Sequence, residues 1–600
     1  MTQKPPFHKH TLHLFLLSTL VLLLCGLCSC TPSIPVDSPK AKASQETFET
    51  FLNDQFCSSF ENELINLHYT LKNPATFGIE KPEKASSDIT LDYPEQTKQN
   101  LTETKKALLQ INQNHLTEEQ QRVYTTLEKY LNQQITLCDY PQFLNLLSYA
   151  TGLSSSLPLT LAEYTFYSEE DVKDYLSILT QVPNLLEQAY AWEENQIKKG
   201  FGMADFEMEH TIEQINIFLR TSSDTNLLID TFETRINSLP NLSDDQKKTY
   251  RKNNEVLVAD TILPAFINLK ESLSSLKKTA PNGQGLCLYE DGLKYYEMLL
   301  SSMTLSDRSI STMIHSLENR LEDITDRISD TVIRTPKIYD IFLSAMESGV
   351  LPDQSPEEML LHLEKAIKQD YPELSNITYK VEPIPEALEN DTTAAYYLIP
   401  PFDSSEENRI YYGKAMTDNA SLYMTLSHEG YPGHLYHQNY LLQNNLHPIF
   451  YILDITGYKE GWAFYAELDA ADYYNFGIYE EEYHDELVEL YRCNLEYSYC
   501  ISSLIDLYVN GKGYTAEKII EFAASLGMDK DTAISLYEYA IEEPGTYLQY
   551  YIGYLEILEI RQDAESKKGN NFNEKAFHTA FLDLGPCFYK DLAKYIREKY

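Results

Sequence analysis

The chain has 600 residues, of which 43% are hydrophobic and 23% charged, a globular composition too long for one simple core, so several domains or one large two-lobed unit are expected. Its 48 basic and 90 acidic residues give a formal charge of -42, which repels nucleic acid and anionic membrane surfaces; no nucleic-acid partner is expected.

In chain order, Lys4 and Lys9 make a short basic start, residues 14–24 form an apolar run too short for a convincing membrane span, and Leu27-Cys28-Ser29-Cys30 closes it. This resembles a bacterial lipoprotein signal covering residues 1–30. Cleavage before Cys30 would leave that cysteine as a lipid-carrying N-terminus, anchoring the protein to the cell membrane on its extracytoplasmic face; an ordinary signal peptide or a signal anchor is the alternative. Residues 31–44, rich in Pro, Ser and Ala, read as a flexible tether. The body keeps Cys57, Cys138, Cys287, Cys493, Cys500 and Cys587, too sparse for a disulfide scaffold or a cysteine zinc site. Cys493 and Cys500, seven apart on a predicted helix, read as buried free thiols rather than a bridge.

Residues 45–371 read as a helical N-terminal lobe. Ser168 with Asp171 predicts a capping box, followed by Val172, Tyr175, Leu176, Leu179 and Val182 at helical spacing, until Pro183 interrupts the run. A second stripe runs through Ile310, Met313, Ile314, Leu317, Leu321, Ile324 and Ile328; both stripes are core packing. Residues 372–600 read as a second, catalytic lobe. It opens with three short segments rich in tyrosine and β-branched residues, 377–381, 395–399 and 409–414, which predict a small sheet. The third segment, carrying Arg409 and Tyr411, is the one expected to pair with an extended peptide substrate. From residue 480 onwards the pattern is helical again.

The chemistry concentrates in residues 421–468. His428, Glu429, His434 and Glu460 are the imidazole and carboxylate types that zinc takes in hydrolytic sites, where one position stays open for water. In an HExxH helix two histidines four apart sit about 40° apart around the axis and reach one ion. Here His428 and His434 are six apart, about 240° around a regular helix. They can share a metal only if the helix breaks between them, and Gly430, Pro432 and Gly433 are the residues able to break it. His434 with His437, three apart, is a competing pair that would leave His428 beside the site, and ordinary structural histidines are the third reading. The third ligand is expected from the segment Glu460–Glu467, EGWAFYAE, with Glu460 on the metal. Glu467, seven residues further on the same helical face, is expected to support a ligand.

With GLKYY at 292–296, YLIPPFD at 397–403, HEGYPGH at 428–434, EGWAFYAE at 460–467 and PGTYLQYYIG at 544–553, the chain resembles the bacterial family named domain of unknown function 885, distantly related to HExxH metallopeptidases. The resemblance implies a mainly α, zincin-like (gluzincin-type) fold with a small sheet beside the active-site helix. It also implies one zinc ion on His428, His434 and Glu460, with Glu429 as general base. Tyr550 matches the family tyrosine and is expected to face the oxyanion, with Tyr551 and Tyr554 as competitors. Two departures stand out: Leu435-Tyr436-His437 replaces a His-Leu-Gln run, with His437 expected beside the metal site, and Asn510 stands where many members carry a histidine; if that position contacts substrate, Asn510 can donate a hydrogen bond but carries no charge. Arg561 and His578 are further groups able to hold a substrate carboxylate. The expected activity is zinc-dependent hydrolysis of peptide bonds. The alternatives are a surface lipoprotein that binds peptides or a partner without turnover, and a hydrolase of non-peptide amides or esters.

Overall fold

A computed structural model describes residues 36–220, 226–281, 283–348, 355–375, 377–384, 395–404, 408–413 and 419–600. The signal segment with Cys30, the first five residues of the tether and Lys414 lie outside the described residues. The rest of the tether is only partly as expected. Ser38 accepts a hydrogen bond from the Ala41 amide and Pro39 takes the first helical position, so helix α1 (Pro39–Ser58) starts inside it. Ser168 and Asp171 form the expected capping box of α2 (Glu169–Lys198), which runs on through Pro183 for 30 residues. Proline costs the helix one amide bond, but Leu185, Leu186, Ala189 and Trp192 continue the buried stripe beyond it, and burial of four large or medium side chains outweighs a penalty of about 3 kcal/mol. The second stripe forms α3 (Ile310–Arg334), capped by Ser309.

Three strands make one sheet: β1 (Tyr379–Pro383), β2 (Ala395–Leu398) and β3 (Asn408–Tyr412). Their order is β1-β3-β2, with β1 parallel and β2 antiparallel to β3. The third strand is therefore central, paired along both edges, and has no free edge for a peptide; among the described residues, the strand edge beside the site belongs to β2. Helices α4 (Asn419–Glu429), α5 (His434–Gln443), α6 (Thr456–Ala470), α7 (Glu480–Asp506) and α8 (Thr546–Lys568) follow. The architecture is mainly helical with one small sheet, and no described helix is long and apolar enough to cross a membrane.

Hydrophobic packing divides elsewhere than at residues 371 and 372. One core gathers side chains from Leu64 to Leu276; a larger one joins Tyr296, Met313 and Leu317 to the C-terminal helices and recruits Phe48, Leu52, Leu127 and Leu131 from near the start. The helices between 292 and 366 bury their stripes against the C-terminal half, which sets this division.

Two acids on the helices of the first core, Glu193 and Glu207, are buried. Glu193 accepts from the Met203 amide at 2.6 Å and Glu207 from the Ala204 amide at 2.5 Å. Burial pushes the Glu193 carboxyl up to about 7 and Glu207 well above the usual carboxylate range, against the pull of those amides. The folded chain thus holds protons that the unfolded chain releases, and stability falls as pH rises from roughly 4 through 7. The midpoint of calorimetric unfolding is expected to be higher at about pH 5.5 than at about pH 8. Glu193→Gln, which keeps the acceptor oxygen, should raise the midpoint at the higher pH and flatten the dependence; equal midpoints in the parent chain would contradict this account.

Candidate metal centre

Helix α4 ends at Glu429 and α5 begins at His434, so the two histidines sit on separate helices joined by a four-residue turn. The Gly430 amide closes on the Leu426 carbonyl, and the Gly433 amide reaches back to the Ser427 carbonyl at 2.9 Å. A Cβ on Gly433 would lie 1.8 Å from the His428 carbonyl oxygen, so only glycine allows this return. The Trp462 indole on α6 donates to the Pro432 carbonyl at 3.0 Å and fixes the turn from below. The break brings the imidazoles together, with ring centroids 4.9 Å apart and nearly perpendicular planes.

Glu460 comes from α6 at the point where this helix meets α8. Glycines allow the close approach: a Cβ on Gly461 would stand 2.8 Å from the Gly553 Cα and 2.4 Å from the Tyr589 hydroxyl. Glu460 Oε2 lies 3.3 Å from His434 Nε2 and 3.5 Å from His428 Nε2. One donor atom from each of the three residues falls within 4.8 Å of the others. Glu467, two turns along α6, meets His428 Nδ1 at 3.0 Å, leaving Nε2 to face the triad. Burial opposes charge on His428, yet Glu460 and Glu467 hold its imidazolium form well above the usual range; burial likewise opposes charge on Glu460, whose carboxyl the His434 and His428 rings nevertheless keep well below the usual carboxylate range. Glu460 Oε2 is buried with no hydrogen bond. Two imidazole nitrogens around an unbonded carboxylate oxygen suit a divalent cation such as zinc.

Glu429 closes the α4 end. Its Oε2 accepts the Tyr397 amide of β2 at 2.9 Å, so the strand edge orients this carboxylate. Sequence reasoning had not assigned Tyr397 a role in the site, since a backbone amide carries no residue-type signal; the YLIPPFD motif was the available pointer. The same motif is pinned across the molecule, where Asp403 accepts the Lys72 and Asn73 amides at 2.7 and 2.8 Å. Tyr550 on α8 has its ring 6.2 Å from His428 and 5.8 Å from Tyr499, and its hydroxyl bonds to no described residue. Burial and then the nearby Glu460 push that phenol well above its ordinary range, so its proton stays on at neutral pH.

Several expected site residues are used elsewhere. His437 is buried against Tyr458 and Trp462 with Nε2 unpartnered, and burial lowers its imidazolium to about 3; it is a neutral core ring outside the triad. Asn510 is fully buried, donating to Asp506 Oδ1 and the Ala540 carbonyl and accepting the Leu286 amide. It braces a junction in which Asp506 also accepts from Tyr296 and from the Gly545 amide. Tyr551 donates to Glu496, an acid paired with Arg320 and Arg327 of α3, and Tyr554 packs on Phe464. Arg561 meets Asp469, Glu574 and the Tyr465 hydroxyl, and His578 is held by Tyr465 and the Asp370 carbonyl. Residues 465 and 469 face away from Glu460 on α6, and the Arg561 guanidinium already supplies the cation this acidic cluster needs. Tyr411 donates to Glu163 at 3.2 Å, and Arg409 lines a separate cleft of about 220 Å³ with His68 and Tyr167. Cys493 and Cys500 are buried free thiols, as expected.

Residues 74–596 match the family model described as "Bacterial protein of unknown function (DUF885)", and the chain belongs to that family. It is similar to two solved structures, both described as "putative lipoprotein". The one from Colwellia psychrerythraea has 16% identity and a TM-score of 0.80 over 92% of this chain and 99% of that one. The other, from Shewanella oneidensis and further described as of unknown function, has 17% identity and a TM-score of 0.60 over 91% and 99%. A search of curated proteins found no match.

Proposed function

We propose that the protein is a zinc-dependent peptidase of the gluzincin type, working on the extracytoplasmic face of the cell membrane and held there by lipid on Cys30. One observation carries this reading: the helix break that unites His428 and His434 on the unbonded oxygen of Glu460 also sets a carboxylate, Glu429, beside them with one oxygen tied to a strand edge. A protein that only binds a partner has no need of that oriented carboxylate.

A zinc ion on His428, His434 and Glu460 would act as a Lewis acid and bring the pKa of water towards neutrality. The remaining work falls to the chain. The Tyr397 amide holds Glu429 Oε2, which leaves Oε1 free to take a proton from the attacking water. As the tetrahedral carbon collapses and the C–N bond breaks, Glu429 passes that proton to the leaving amine. The Tyr550 hydroxyl, protonated and without another partner, donates to the oxygen that gains negative charge. An extended peptide fits along the open edge of β2, where backbone pairing would lay its carbonyl beside Glu429.

The test is hydrolysis of a mixed peptide library by the zinc-loaded chain, read by mass spectrometry. Cleavage that a chelator abolishes and zinc restores is expected, and Tyr550→Phe should lower kcat by about 10²–10³-fold with little change in KM. If peptides survive intact but amide or ester probes are cleaved, the substrate class is wrong; if nothing is turned over, the protein is a binding lipoprotein.

A further inference from the structure

A second cleft, of about 350 Å³, is lined in part by residues that share an element with those of the site. Tyr397, whose amide holds Glu429, leads into the wall formed by Leu398 and Ile399. Gln438 and Leu441 lie four and seven residues after His434, on the same face of α5. Lys459 immediately precedes Glu460 on α6. Most of the lining is apolar, and Lys459 is its only formally charged side chain among the described residues. No described carboxylate forms an ion pair with it, in a chain with 90 acidic and 48 basic residues where most of the comparable inward-leaning cations, such as Lys81, Lys129 and Arg308, are paired. The acids that act on it, Asp454 and Glu460, do so from beyond ion-pair distance, and an ammonium held that way in an apolar cleft gains from a carboxylate that a ligand supplies.

We propose that this cleft is a substrate subsite that selects a peptide bearing a carboxylate next to the cleaved bond, with Lys459 as the pairing cation and the apolar walls holding the adjoining side chain. Cleavage at that bond rests on the peptidase reading above; selective binding does not. The carboxylate can come from a free C-terminus or from an Asp or Glu side chain, both of which present the same anion to Lys459.

Binding of fluorescent peptides to the full-length chain carrying Glu429→Gln, purified in mild detergent with zinc, separates these cases. Two matched pairs serve as probes: one sequence with a free or an amidated C-terminus, and an amidated sequence with an internal Glu or Gln. The carboxylate member of at least one pair is expected to bind about tenfold or more tightly than its neutral partner, as for a charge-assisted bond. The pair that discriminates names the source of the anion. Lys459→Met should reduce the preference to within about twofold, and Lys459→Arg should retain most of it. Equal affinities within both pairs, a preference that persists in Lys459→Met, or no binding of any probe would overturn the proposal. Selective, Lys459-dependent binding without turnover by the parent chain would support the subsite and reject the peptidase reading. Turnover that ignores charge would do the reverse.

Discussion

Glu429→Gln is expected to lower kcat/KM on the best peptide substrate by about 10²–10⁴-fold while leaving the zinc content of the chain unchanged. The amide keeps an oxygen that accepts the Tyr397 N–H, so the side chain retains its place against β2. It cannot accept a proton from water or return one to the leaving amine. Glu429 also supplies none of the three converging donor atoms, which is why the metal should stay. Turnover within tenfold of the parent chain would remove Glu429 from the role of base; parallel loss of zinc would mean that it is a ligand.

Glu460→Ala should bring zinc, near one per parent chain by inductively coupled plasma mass spectrometry, down to a small fraction after dialysis. The two imidazoles then face one another without the carboxylate that joins them at 3.3 and 3.5 Å. Glu467→Gln is the milder companion. An amide can still meet His428 Nδ1 but cannot hold the ring as a charged partner, and affinity should fall by about 10–100-fold without loss of the site. Because bound metal stabilises only the folded chain, zinc should raise the unfolding midpoint of the parent and of Glu467→Gln, but not of Glu460→Ala. Full zinc occupancy in Glu460→Ala would reject the triad.

Much of the centre could be read without coordinates because its requirements are local. Two histidines six apart need a broken helix, and Gly430, Pro432 and Gly433 stand between them; α4 ends and α5 starts on either side of those residues. Glu460 and Glu467, seven apart, had to share a helical face, and they do. The candidates that the structure engages elsewhere share one feature. Asn510, Arg561, His578, Tyr551 and Tyr554 are residue types that often meet substrates, but each bonds to or packs against a group distant in sequence. Only the packing of α6, α7 and α8 says which side chains are already satisfied. Pro183 marks the same limit in the other direction, since a local rule against proline in helices gave way to the burial of residues beyond it.

The sequence by itself determined the helical character, the small sheet and the helix break, and named the candidate ligand residues, because periodicity, capping and turn chemistry act over a few residues. Tertiary structure alone decided that β3 is central and β2 at the edge among the described strands, that a backbone amide orients Glu429, that Tyr550 rather than its neighbours faces His428, and that Lys459 lines a cleft with no ion pair among the described residues. Those facts depend on distances between segments far apart in the chain. Strand order, the direction of a backbone N–H and the pairing of a charge follow from how the two cores close on one another, which no local pattern encodes.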